Sequence, residues 1–302
     1  MTRRRVGWIV LGLALCFGCS DRSESGPVPG GDAAENVPRR VVVLAPAAAE
    51  MLEALDLLDR VVGVGEFGPW PEAIADRPSL GGYDSPNVEL ALELQADLVL
   101  TASSDAAVAS HQRMEALGIQ VVSLDTSTYR GVFDSLRRVG QLFAVPDRAS
   151  TIAENMRQSL REIEARAASA PPRSVLFVVG RDPLYVAGPG SHIDEMIRLV
   201  GARNVAHDAL SPYQQVSLEA ILERVPDVIV DTSDNRPGAT RGRDTGDWGR
   251  WEFVPAVRDD RVYQIDPGKL VIPGLRLPEM TLLMGKLAQP EIFGEVETAE
   301  LE

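Results

Sequence analysis

Apolar residues along this chain fall in two alternating patterns. Short continuous runs mark strands: Arg40–Ala45, Val61–Val64, Asp97–Leu100, Gln120–Leu124, Ser174–Val179 and Pro226–Asp231. Between them, apolar residues recur at three- and four-residue intervals, the spacing of a helix face. One such helix opens at Pro46 and runs through Glu50, Met51, Leu52, Leu55 and Leu58; Pro is favourable at a first helical position. Another starts at Val88, with Asn87 as its N-cap and Leu90, Leu92 and Leu94 on its apolar side. Further helices are predicted near Ala106–Leu117, over Val132–Phe143 and through Ile193–Val200. Strand and helix alternate throughout, which predicts an α/β protein with mostly parallel sheets.

One helix differs in length. Asp147–Ala170 contains neither Gly nor Pro, and Pro171 and Pro172 end it. Ile152, Met156, Leu160 and Ile163 form a single stripe. About twenty residues at 1.5 Å rise span roughly 30 Å, comparable to a small domain. The pattern suits a strut between two lobes or an ordinary surface helix. The strand pattern restarts at Ser174, after it.

The loops carry the candidate chemistry. Gly65–Glu72 sets Phe67 and Trp70 beside prolines, and Leu80–Glu89 runs from Gly81-Gly82 through Tyr83 to Pro86. Both loops leave the same end of the sheet, where open α/β sheets place ligand contacts. An indole offers a broad apolar surface with a polar edge, suited to a flat ligand; packing against the core under the loop is the other role open to Trp70. Gly188, Gly190 and Ser191 lead into a helix at His192 but lack the Lys-Ser/Thr of a P-loop. Ser233–Arg250 is polar and glycine-rich and reads as a lip over a cleft. Trp248 and Trp251 at its end are either a second aromatic face or core packing. No Gly-x-Ser-x-Gly or His-Glu-x-x-His motif occurs, and none of the three histidines sits in a local catalytic motif, so no enzyme is expected.

Charge and termini narrow the setting. Against 44 Asp+Glu there are 30 Lys+Arg, a balance that argues against a nucleic-acid partner. Arg3–Arg5 precede a short apolar run, Val6–Gly18, too short for a transmembrane helix and suited to a secretory leader. Cys16 and Cys19 are the only cysteines, so no intramolecular disulfide is expected once residues 1–18 are removed. Residues 20–37 are rich in Ser, Gly, Pro and acidic residues and read as a flexible tether.

Several segments together resemble the substrate-binding proteins of ABC importers for cobalamin, haem and ferric siderophores, the periplasmic-binding proteins with a rigid helical backbone. They are Leu80–Leu100, with its Gly-Gly-Tyr, Pro-Asn-x-Glu and Asp-Leu-Val-Leu; Gly65–Glu72; Gly201–Ala206; Tyr213–Glu219; Trp251–Tyr263; and Lys269–Leu277. The resemblance covers residues 39–293 and is nearest to the cobalamin-binding members. It implies two α/β lobes (39–145 and 172–293), one long interdomain helix (146–171) and a ligand cleft between the lobes. A lipoprotein signal (1–18), a tether (19–38) and an acidic tail (294–302) complete the domain plan. Cys19 is the implied lipidation site, although Cys16 and Phe17 stand where Leu and a small residue are usual.

The resemblance implies a corrinoid as ligand, held by Phe67, Trp70, Tyr83, Trp248 and Trp251. Haem is the alternative, with Tyr83 and His192 as candidate iron ligands, a hydrogen-bonded loop histidine being the other role open to His192, and a ferric siderophore meeting Arg181 is a third. No resident cofactor or metal site is expected in the protein itself. Glu89 and Glu219 occupy matching places in the two lobes, where relatives present glutamates to arginines of the permease. The implied partners are a permease with its ATPase, a small chelate and a membrane reached through the lipid; the protein is expected to be a monomer on the outer side of a bacterial membrane. A non-transport enzyme or an envelope assembly lipoprotein on a similar fold is the rival from another class.

Overall fold

The computed structural model describes residues 37–103, 106–234, 242–243 and 246–301. The leader, Cys19 and nearly all of the 19–38 tether lie outside them, as does half of the 233–250 lip.

Four parallel strands make the first sheet: β1 (Val41–Val43), β2 (Val61–Val64), β3 (Leu98–Ala102) and β4 (Gln120–Leu124), in the order β2-β1-β3-β4. Helices α1 (Pro46–Ala54), α2 (Val88–Glu93), α3 (Val108–Ala116) and α4 (Tyr129–Leu142) flank it. The strands are continuously apolar because both faces are covered. Val41, Val43, Leu98 and Leu100 pack with Met51 and Leu52 of α1 and Leu136 of α4. Val42, Leu44 and Val99 point the other way, onto Val88 and Ala91 of α2 and Met114 of α3. Asn87 caps α2 as its sequence predicts, its Oδ1 accepting from Leu90 N–H at 3.0 Å.

Helix α5 (Pro146–Ala167) follows, ending three residues short of the predicted Ala170. Ala149, Ala153, Met156, Leu160, Ile163 and Ala167, spaced alternately four and three apart, are its buried stripe. On one side α5 lies against α4, so closely that a Cβ on Gly140 would collide with that of Ala149. On the other it lies against α6 (His192–Leu199), α10 (Leu277–Ala288) and α11 (Pro290–Phe293) of the second lobe. A single hydrophobic core therefore runs from the first sheet through this stripe to Val175, Phe177, Val228 and Val230 of the second.

The second sheet is mixed. Its parallel centre is β5 (Ser174–Arg181), β9 (Val228–Asp231), β11 (Val262–Gln264) and the short β7 (Arg203–Asn204). Antiparallel strands β6 (Leu184–Ala187), β8 (Tyr213–Gln215) and β10 (Gly242–Arg243) extend its edges, which the sequence pattern of a mostly parallel sheet does not specify. Its far face is closed by α7 (Leu218–Leu222), α8 (Pro255–Arg258) and Trp248. The 294–302 segment is not a free acidic tail. Its helix α12 (Thr298–Leu301) is docked: Leu301 is buried and takes the Asp266 N–H on its carbonyl, and Lys286 pairs with Glu300 at 2.5 Å.

The two lobes repeat one local device. Helices α2 and α7 each open on a side-chain cap, Asn87 and Ser217, and each is followed by a left-handed residue, Gln95 (φ 50°) and Val225 (φ 41°). Two residues on, Asp97 accepts the N–H groups of Arg39 and Arg40, and Asp227 accepts that of Ser174. Each aspartate thus ties the entry of its strand to the entry of the neighbouring first strand. Val225 is strained, because a β-branched residue pays about 1–2 kcal/mol in the left-handed region. Val225→Gly is expected to raise stability by about 1 kcal/mol in urea denaturation; an unchanged or lowered midpoint would refute the strain.

Candidate functional site

The carboxyl ends of both sheets face one another across a closed base. At the end of β4, Ser127 offers its carbonyl to His192 N–H at 2.9 Å, and the Tyr129 N–H donates to Glu195 Oε2 at 2.7 Å. Beside them Tyr129 Oη and Thr281 Oγ1 share a hydrogen bond. From α1, Glu50 accepts the Leu275 N–H at 2.9 Å and the Arg276 Nε–H at 3.1 Å. Gly274 leaves room for that carboxylate, since any side chain there would run into it. These bonds join first-lobe residues to second-lobe residues and close the base between the two sheets.

On the first lobe the predicted residues come together. The Glu66 N–H donates to Gly81 carbonyl at 2.9 Å and Leu80 N–H to Val64 carbonyl at 2.8 Å, so the 65–72 and 80–87 loops form one rim. Phe67 is 70% exposed and Tyr83 45% exposed on it, large aromatic surfaces with no fold-level need for solvent. Trp70 is half-buried, packed against the core with its ring beside Gly65 and Gly68.

On the second lobe Arg181, Trp248 and Trp251 also meet, but around a separate pocket. With Leu184, Leu218 and Arg250 they line a space of about 170 Å³ made by this lobe alone, smaller than the ~300 Å³ at which small-molecule sites usually begin. Trp248 is 1% exposed and its Nε1–H donates to Asp231 Oδ2 at 2.8 Å, so it is core packing and not an aromatic face for a ligand. Arg181 is likewise committed. Its Nη2 donates to buried Asp231 at 2.6 Å and its Nη1 to Asp247 at 3.2 Å, and its guanidinium lies 4.8 Å over the Trp248 ring. A guanidinium so held does not serve an anionic chelate. Trp251 is partly exposed, with Arg250 5.1 Å over its ring.

His192 is a hydrogen-bonded histidine and not an iron ligand. It is buried, its Nε2 lies 3.1 Å from Leu270 carbonyl and its Nδ1 3.4 Å from Tyr213 Oη. Neither nitrogen is open to a ligand. Burial pushes its pKa down to about 4, only partly offset by the Leu270 bond.

Sequence reasoning missed the aromatic residues of the second lobe that do face outward. Leu184 and Val186 of β6 point into the far core, so Tyr185 and Ala187 point toward the interlobe side. Across β8, Tyr213 pairs with Ala187 and Gln215 with Tyr185, which puts all four on that same face. Tyr185 is 37% and Tyr213 42% exposed. The alternation in Leu184-Tyr-Val-Ala187 was the available signal. Glu89 and Glu219 are exposed on the first turns of α2 and α7. Glu89 is paired with Arg113 at 2.6 Å, an exposed bridge worth ~1 kcal/mol or less.

Comparison with known proteins agrees with this architecture. The model of the family described as periplasmic binding protein matches residues 41–268, and the chain belongs to that family. The ABC transporter substrate-binding lipoprotein YvrC of Bacillus subtilis is 29% identical over 265 residues, covering 85% of this chain and 82% of its own. The vitamin B12-binding protein of Vibrio cholerae is 26% identical over 228 residues, covering 75% of this chain and 80% of its own. Among solved structures, a periplasmic heme-binding protein of Pseudomonas aeruginosa superposes with a TM-score of 0.70 at 25% identity, over 86% of this chain and 94% of its own.

Because the folded-state pKa of His192 lies below its unfolded value, its neutral form favours folding. The contribution is full above pH ~6.5 and is lost as pH falls toward about 4, on the order of 3 kcal/mol in total. Denaturant titrations between pH 4 and 7 should show a shallower pH slope for His192→Gln than for the natural protein; parallel slopes would reject the assignment.

Proposed function

We propose that this protein is the extracytoplasmic solute-binding component of an ABC importer, capturing a metal chelate between its lobes and delivering it to a permease. The observation that carries this reading is the rim of Phe67 and Tyr83, two exposed aromatics on loops bonded to each other at the carboxyl end of the first sheet. Within a family of binding proteins, such a surface suits a broad, flat, largely apolar ligand. A corrinoid is the first choice. Haem is the second reading, favoured by the exposed phenol of Tyr83, which is available to an iron where His192 is not. Trp70 supports the rim from behind and Trp251 flanks the second lobe. No catalytic step is assigned. Cys19 would carry the lipid anchor.

Tryptophan-quenching titrations with cyanocobalamin, haemin and a ferric hydroxamate test the ligand. Saturable cyanocobalamin binding, weakened about tenfold (roughly 1.4 kcal/mol) in a Phe67→Ala/Tyr83→Ala variant, is expected. Haemin preferred, with an absorbance shift lost in Tyr83→Phe, would transfer the function to haem; no binding of any of the three would end the chelate reading.

Glu89 and Glu219 are the proposed docking pair. Two separated carboxylates fix the orientation of a partner and speed its encounter with complementary arginines. Glu89→Ala/Glu219→Ala should leave ligand affinity within about twofold while removing ligand uptake in cells that depend on this importer. Uptake at the natural rate would show that docking lies elsewhere.

A further inference from the structure

Tyr213 stands on the interlobe face with half of its side chain exposed, and its hydroxyl reaches inward to His192. The proton positions along this chain follow from the partners. The Leu270 carbonyl can only accept, so the His192 Nε2 facing it carries the hydrogen. The ring is neutral, held so by burial. Its Nδ1 is therefore a bare lone pair, so in the long contact between them, 3.4 Å, the Tyr213 O–H is the donor. Burial also raises the Tyr213 pKa, which keeps the phenol protonated. With its one hydrogen turned toward His192, the phenol oxygen presents only lone pairs to the cleft.

A lone pair distinguishes edge chemistries. It accepts a hydrogen bond from an amide N–H and is repelled by a carboxylate, so a ligand edged with donors is matched there and one edged with acceptors is not. A corrinoid is edged with primary amides, whereas a haem carries carboxylates. We propose that Tyr213, oriented by the positioning residue His192, is a specificity-determining acceptor that selects an amide-edged over a carboxylate-edged macrocycle. This rests on the macrocycle-binding reading above and assigns to the second lobe the polar discrimination that the aromatic rim of the first does not supply.

The test uses two corrinoids with the same ring and axial ligands: dicyanocobinamide, edged with amides, and dicyanocobyrinic acid, edged with carboxylates. The natural protein should favour the first. Tyr213→Phe should weaken dicyanocobinamide about tenfold and leave dicyanocobyrinic acid within about twofold. His192→Gln, by freeing the phenol hydrogen to turn outward, should tighten the acid form and narrow the preference from the other side. Tyr213→Phe changes an exposed side chain and keeps the test open if His192→Gln does not fold. An unchanged preference ratio in Tyr213→Phe, with the natural protein binding dicyanocobinamide, would overturn this proposal alone. Binding of neither corrinoid by the folded protein would overturn the macrocycle reading and this proposal with it. A haemin complex whose phenolate-to-iron absorbance vanishes in Tyr213→Phe would make Tyr213 a metal ligand instead and equally overturn it.

Discussion

Everything in this protein depends on the buried stripe of α5. Ala149, Ala153, Met156, Leu160, Ile163 and Ala167 put small apolar groups at both ends of the stripe and large ones between them, and the helix is packed from both sides at once. Without it the two sheets would have separate cores, joined by a few hydrogen bonds. With it they share one, and the polar contacts at the base, Ser127 to His192 and Glu50 to Leu275 and Arg276, act between surfaces whose spacing is already set. Those contacts are individually modest, about 1 kcal/mol for a typical net hydrogen bond and somewhat more for one to a charge. Their effect is to resist opening, because a hinge motion would have to break them and shear a packed helix together.

The same arrangement separates scaffold from surface. Strand ends are held by Asp97 and Asp227, loop to loop by the Glu66–Gly81 bond, and the base by the contacts just named. The aromatic side chains at the rim take no part in any of these. Asp231 shows the opposite case. A buried carboxylate that receives Arg181, Trp248 and Ser233 organises the second lobe's far side and leaves those groups nothing to offer a ligand.

How much of this is legible in the sequence depends on how local the cause is. The first lobe's strands, the cap at Asn87, the Pro46 start and the length of α5 follow from spacing and from turn residues, which act within a few positions, so they are recovered nearly residue for residue. Phe67 and Tyr83 were legible because glycine and proline turns leave few alternatives to exposure. The errors involve partners far along the chain. Trp248 is bonded to Asp231, 17 residues away, and Arg181 to the same carboxylate 50 residues away; His192 is bonded to Leu270 and Ser127. An aromatic or cationic side chain after a glycine-rich segment looks available until such a partner is known. Tyr213 is hidden for a related reason: the antiparallel strand that turns it to the interlobe side has three residues, too few to show a period of its own.

A helix of fixed length between two sheets also works as a caliper. The separation it sets is a property of covalent rise per residue and side-chain volume, and it does not adjust to what enters. With a ligand between the lobes as proposed, a caliper measures thickness and is blind to outline, so any sheet-like molecule of the right thickness would pass this first gauge, whatever its perimeter carries. Recognition of the perimeter is then left to side chains that can be exchanged without disturbing the frame, and a change of diet needs only new teeth on an unchanged jaw.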